Sequence, residues 1–399
     1  MKTNVILFLV FAALVVSCSQ QEELLSSRFD NQESTNNYHR SLNEALKEAD
    51  SHFNLVFGEK TRGTAREVSS VEYINPSTRS NGKKASYYVV NYKDNQGFSL
   101  LSADKRQDAV FAISDRGELH LSDTIYNKGL AYYINSIENI SLDDSETKGG
   151  YSGPIVMDTT IQQLPLDKIT WVIHPIFPDR MDDPSLFLIR FHQGAPYNKY
   201  CFTPEGIQAP AGCAPIAAGL IMSYYEWPKE YKGHTFDWAS MKNDKDHDSW
   251  AQLFAITGKE MKSQYTDSVT NTGYFDLRIG LGYMGFKDFV LTTFTKDDAN
   301  SELRKNKPLL MAGHHYGTST QPKEGGHIWV IDGGYNIIKG VALETDPVGT
   351  DYYRCIWGWG GQANGYYKFT QSPVNSSISP SNGLVFKDLM FIKNLNIKN

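Results

Sequence analysis

The stretch that decides the reading is Gln208-Ala-Pro-Ala-Gly-Cys-Ala-Pro-Ile-Ala-Ala-Gly-Leu-Ile-Met-Ser-Tyr-Tyr-Glu-Trp-Pro228. Within it Cys213, Ile216, Ala217, Leu220, Ile221 and Tyr224 recur at helical spacing and share one face. Proline is tolerated in a helix only in the first turn, so Pro215 sets the helix start at or just before Cys213. A thiol placed there feels the positive end of the helix dipole, which favours its thiolate. Gly212 leaves the backbone open to close approach by a substrate. An inert cysteine packed on an apolar face fits the same stretch, and such cysteines are common.

A nucleophile needs a base, and the chain offers one in Gly325-Gly-His-Ile-Trp-Val-Ile-Asp-Gly-Gly-Tyr335. His327 opens a run of strong β-propensity just after two glycines, a place from which a histidine can face a cleft. A single histidine satisfied by ordinary hydrogen bonds is the plainer alternative, and the His314-His315 pair is a second candidate base. In Arg190-Phe-His-Gln-Gly-Ala-Pro-Tyr-Asn198, Gln193 is placed to donate its amide to an oxyanion beside the Cys213 N–H, although a Gln before Gly is otherwise a turn residue. In Cys355-Ile-Trp-Gly-Trp-Gly-Gly-Gln-Ala-Asn-Gly-Tyr-Tyr367 the tryptophans suggest an aromatic wall, with Trp357 shielding the histidine, and Asn364-Gly365 suggests a hairpin turn.

Outside these segments the chain divides by composition. Lys2 and the apolar run Val5–Val16 form a targeting segment too short for an ordinary membrane span. It ends in Val15-Val-Ser-Cys18, which resembles a bacterial lipobox, so residues 1–18 read as a lipoprotein signal peptide with Cys18 as the lipidated residue, the plainer alternative being a secretory signal cleaved nearby. Residues 19–40 are polar and read as a flexible tether. Ser41 with Glu44 predicts a capping-box helix; Ala85–Tyr92, Gly97–Asp104 and Ala109–Ser114 predict strands. Residues 41–145 therefore read as a small α+β unit. Residues 146–160, within a Gly-, Ser- and charge-rich stretch, read as an exposed linker open to proteolysis. Residues 161–399 read as a larger α+β domain with helices near 213–226 and 249–264. The net charge of −6 and the lack of a basic run speak against a nucleic-acid partner. No Cys-x-x-Cys spacing points to a metal site, and no cofactor is expected. Cys201, Cys213 and Cys355 are an odd set once Cys18 is lipidated, so an exported chain either carries a free reactive thiol or pairs between chains.

Taken together, the four segments resemble the streptopain family of papain-like cysteine peptidases. The resemblance rests on Phe191-His-Gln193-Gly-Ala-Pro-Tyr-Asn198, on Ala211-Gly-Cys213 through Tyr225-Glu-Trp-Pro228, on Gly326-His327 through Gly333, and on Ile356-Trp-Gly-Trp-Gly-Gly361. Tyr88–Tyr92, Gly97–Asp104 and Ser114-Asp-Arg-Gly117 resemble the family's pro-domain. The resemblance implies a two-subdomain papain-like fold, a helical part plus an antiparallel β-sheet part, preceded by the pro-domain as intramolecular inhibitor. It implies Cys213 as nucleophile, His327 as general base and acid, and Gln193 as oxyanion donor, acting on protein or peptide substrates. Cleavage in the linker would turn a membrane-tethered zymogen, at the outer membrane or cell surface, into a released enzyme.

Three departures stand out. Ile356 replaces the asparagine that would orient the imidazole, so a backbone carbonyl or a water must take that role. Phe191 replaces a tryptophan, and Pro215 a small residue. Because isoleucine neither accepts nor donates, the alternative is a catalytically impaired relative that binds peptides or proteins as a lipoprotein. An acyl-transfer enzyme on the same fold is a third class, against which the pro-domain resemblance argues.

Overall fold

The computed structural model describes residues 38–58, 66–74, 86–125, 168–177, 188–243, 246–315, 325–338, 350–369 and 387–398, together with Gly129, Leu130, Tyr133, Ile134 and Ile137. The segments expected as signal peptide, tether and linker, Cys18 included, lie almost wholly outside the described residues. The chain forms two compact units: residues 1–121 with 140–159, and residues 122–139 with 160–399.

In the first unit, α1 (Leu42–Phe57) begins with the expected capping box: Ser41 Oγ accepts from the Glu44 N–H, and the Ser41 N–H donates to the Glu44 carboxylate. Such a cap stabilises a helix by about 1 kcal/mol. Leu42, Ala45, Ala49 and Phe53, three or four residues apart, form its buried face. Strands β1 (Val68–Ile74), β2 (Tyr87–Tyr92), β3 (Phe98–Ser102) and β4 (Val110–Ser114) follow as an antiparallel meander, and α1 covers β3 and β4. Every residue of β2, β3 and β4 is buried, which is why these runs read as continuous β-branched and aromatic sequence.

The second unit has a helical part and an antiparallel sheet. β5 (Lys168–Ile173) comes first; then the helices α2 (Cys213–Tyr225), α3 (His247–Glu260) and α4 (Tyr274–Tyr283). β6 (Val290–Thr293) and α5 (Lys296–Arg304) lead to β7 (Leu309–His315), β8 (Gly325–Ile338), β9 (Thr350–Ile356), β10 (Gly365–Phe369) and β11 (Lys387–Lys393). The sheet runs in the order β10-β9-β8-β7-β11-β6. The long β8 pairs with β9 on one edge; its other edge pairs with β7 over its first half and with β5 over its second.

Helix α2 starts at Cys213, as Pro215 requires, but it is not amphipathic. All ten residues from Ala214 to Ser223 are buried, because the helix lies between β8 on one side and α3 on the other. Close packing with α3 depends on Gly219, where an added Cβ would come within 2.3 Å of the Phe254 ring. Helix α3 begins two residues earlier than the sequence suggests, because Asp246 accepts from the Ser249 N–H; it ends at Glu260, before Lys262 adopts a positive φ of 47°.

Candidate active site

The turn before α2 is built from the glycine upward. Gly212 has φ +96°, and a Cβ there would meet Thr270 Cγ2 at 2.8 Å. Thr270 Oγ1 in turn donates to the Pro210 carbonyl at 2.6 Å. The glycine is thus required by the backbone and by Thr270. No side chain caps this helix start, so its first-turn N–H groups face the Cys213 thiol instead. Gln193 belongs to the same turn: it is buried, and its carbonyl accepts from the Ala211 N–H at 2.8 Å.

Cys213 is partly exposed. Burial among apolar neighbours pushes its thiol up, while the backbone N–H groups of Ile328, Ala214 and Cys213 itself pull the other way. Loss of hydration is the larger of these effects, so the net direction in this arrangement is upward. Beside the thiol is a narrow apolar void walled by Phe191, Ile216, Ile328, Ile356 and Trp357. It has room for about one water molecule, not for a peptide.

His327 is wholly buried. Strand alternation puts Ile328 and Val330 on the face of β8 that packs with Cys213 and α2. The imidazole lies parallel to Trp329, 6.1 Å away at 9°, and tilted against Trp357 at 6.2 Å. Its Nε2 pairs with the Trp357 carbonyl at 2.9 Å. Burial drops its pKa to about 4, against a smaller upward pull from that carbonyl, so the ring is neutral near pH 7. The histidine does not open into a cleft, and among the described residues no hydrogen bond joins it to the Cys213 thiol. Of His314 and His315 the backbone belongs to β7, whose Gly313 sits opposite His327.

The segment between β9 and β10 holds Trp357 firmly. Its indole N–H donates to the Ala363 carbonyl at 3.1 Å, and its backbone N–H donates to Asn364 Oδ1 at 3.0 Å. Ala363 takes the left-handed conformation, and Asn364-Gly365 is not the expected hairpin turn: the Asn364 side chain is buried and bonds through both its oxygen and its nitrogen. Ile356 points to the void beside Cys213 and pairs in register with Val330. Phe191 fills an aromatic cluster with Tyr197, Trp250 and Phe254 at 4.6–5.3 Å, which accounts for an aromatic at that position. Pro215 packs beside Gly212 and Gly258.

A contact that the sequence did not suggest crosses the histidine. Gly129, Leu130, Tyr133, Ile134 and Ile137 are helical, all buried, and belong to the second unit. A Cβ on Gly129 would come within 2.5 Å of both the His327 ring edge and the Trp357 ring, and Tyr133 packs edge-on to Tyr367 at 4.8 Å.

Cys201 and Cys355 are buried and unpaired. Burial raises both thiols, Cys201 to about 11. Among the described residues no group of histidines, cysteines and carboxylates is placed to hold a metal.

Comparison with known proteins places these features. The Peptidase C10 family model matches residues 191–367, and the Spi protease inhibitor model matches residues 32–140. Residues 191–367 are a peptidase C10 region. Its inhibitor-type region ends just after Ile137, so the helical residues that cover His327 lie inside it. The thiol protease/hemagglutinin PrtT of Porphyromonas gingivalis is 25% identical over 71% of this chain and 34% of its own length. Streptopain of Streptococcus pyogenes is 22% identical over 83% of this chain and 85% of its own length. The chain therefore spans about a third of PrtT (34%) and most of streptopain. Among solved structures, a prointerpain A fragment of Prevotella intermedia is 20% identical over 78% of this chain and 96% of that chain, with a TM-score of 0.49.

Proposed function

We propose that this C10 chain is a cysteine endopeptidase made as a zymogen, with Cys213 as nucleophile, His327 as general base and acid, and Gln193 as oxyanion donor. The observation that carries this is the turn before α2. It brings together the Cys213 N–H, which has no side-chain cap, and, through the Ala211–Gln193 backbone bond, the Gln193 segment. In the reaction the imidazole takes the thiol proton and the sulfur attacks a peptide carbonyl. The Cys213 N–H and the Gln193 amide hold the oxyanion, and His327 returns the proton to the leaving amine. Water then hydrolyses the thioester.

The described arrangement is the latent form of that site. Thiol and imidazole are both neutral, and the inhibitor-type helix crowds the ring. Removing residues 41–145 by cleavage within 146–160 opens the site to water and lets both groups regain their usual acidities. Export with lipid attachment at Cys18 precedes this step, and the cut detaches the enzyme from the membrane. The test is casein hydrolysis by the chain after treatment with a trace of active protease, beside Cys213→Ala treated alike. Activity in the first and none in the second is expected. Silence in the first, or equal activity in both, sinks the proposal. Metabolic labelling with a palmitate analogue, lost in Cys18→Ser, tests the anchor.

A further inference from the structure

Ile356 offers the imidazole no hydrogen bond, and a buried polar chain runs past it. His327 Nε2–H donates to the Trp357 carbonyl at 2.9 Å. The N–H of the same residue donates to Asn364 Oδ1 at 3.0 Å, and Asn364 Nδ2 donates to the Ile189 carbonyl at 2.9 Å. All three side chains are buried. A second tie, Gly360 N–H to the Phe191 carbonyl at 2.9 Å, joins the same loop to the same segment, two residues before Gln193. We propose that Asn364 is the positioning residue of His327. It clamps the Trp357 main chain so that this carbonyl does the orienting, and it fixes that support to the segment bearing the oxyanion donor.

The chemistry is specific to an amide. A carboxamide presents an acceptor oxygen and a donor nitrogen in one plane, and here each meets a complement: an N–H on one side and a carbonyl on the other. Aspartate at 364 would keep the bond to Trp357 but set a carboxylate oxygen against the Ile189 carbonyl. Alanine would release both and leave a buried N–H and a buried carbonyl without partners. With Nε2–H engaged, the neutral imidazole offers the lone pair of Nδ1 to a proton, which is the tautomer a general base needs. The carbonyl also favours the imidazolium, the form that must later protonate the leaving amine.

This inference rests on the proposed function for its kinetic part only, and two measurements separate the two ideas. The first is nitrogen-15 NMR of histidine-labelled full-length chain carrying Cys213→Ala, with the His327 signals assigned by His327→Gln. Asn364→Ala and Asn364→Asp are expected to move the His327 Nε2–H resonance and its tautomer balance; unchanged signals overturn the proposal whether or not the chain is active. The second is steady-state kinetics of the matured enzyme. Asn364→Ala is expected to lower kcat at least about tenfold with KM within about threefold, and to move the basic limb of the pH profile down by about half a unit or more. Asn364→Asp is the control should alanine fail to fold, and it should fall between. Wild-type kcat and limb in a folded variant, or a rise in activity, also overturn it. If wild type itself is inactive while the NMR signals move, the peptidase reading fails and the Asn364 clamp on His327 stands.

Discussion

At the residue scale, two positions carry sharp consequences. Gly212 combines φ +96° with a Thr270 methyl 2.8 Å from where a Cβ would stand. Gly212→Ala is expected to destabilise the chain by about 1–3 kcal/mol, seen as a lower thermal midpoint, and to reduce hydrolysis further because the Cys213 N–H moves with the turn. Arg354 and Asp332 form a buried ion pair at 2.9 Å, and the Asp332 carboxylate also accepts from the Phe177 N–H at 3.0 Å. Arg354→Leu leaves that carboxylate buried without its counter-ion. The expected loss is about 3–5 kcal/mol, checked by the urea midpoint, and Asp332→Asn in the same chain should recover part of it. Cys213, His327 and Gln193 were legible as candidates because each stands in a distinctive local run. The role of Asn364 was not, because Asn-Gly before two tyrosines reads as a turn, and only the fold brings Ile189 and Trp357 to its two amide atoms.

At the element scale, the helical residues 129–137 act through shape. They present Gly129 where His327 and Trp357 leave no space for a methyl, and both rings are buried and cannot give way easily. Gly129→Ala is expected to weaken this packing by about 1–3 kcal/mol. The measurement is the lag before casein hydrolysis begins at a fixed trace of protease, which should shorten severalfold; an unchanged lag would show that this helix does not hold the site closed. Most elements were readable from pattern. α1 announced itself through Ser41 and Glu44, and α2 through Pro215 and the apolar run, although burial all round hid the single face that periodicity suggested. Helices α4 and α5 were missed. For α5 a signal existed, since Thr295 caps it, accepting from the Asp298 N–H, and Asp297 and Asp298 fill its first turn. Helix α4 has Gly273 in place of a capping side chain and two internal glycines, so nothing local marks it.

At the scale of the whole molecule, the neutral buried imidazole couples stability to pH. His327 titrates at about 4 in the folded chain. An exposed histidine titrates at about 6.5. Between those values the unfolded chain holds the extra proton, so stability falls as pH drops from about 6.5 to about 4, by up to roughly 3 kcal/mol. Thermal midpoints of the Cys213→Ala chain at pH 7 and 4.5 should therefore separate more than those of the same chain with His327→Gln; equal separations would show that His327 is not held neutral. The broad plan, an α+β inhibitor region before a helix-plus-sheet peptidase region, could be read ahead of the structure because four motifs stand in order along the chain. What stayed hidden was the state of the site, since which way a histidine leaves its strand depends on partners far away in sequence. The support of His327 by a main-chain oxygen has a genetic consequence. No codon change short of a deletion can remove a carbonyl from position 357, so the orienting atom is immune to missense mutation. The exposure to mutational damage passes to position 364, while position 356 is released to drift among apolar residues that fill the space beside the thiol.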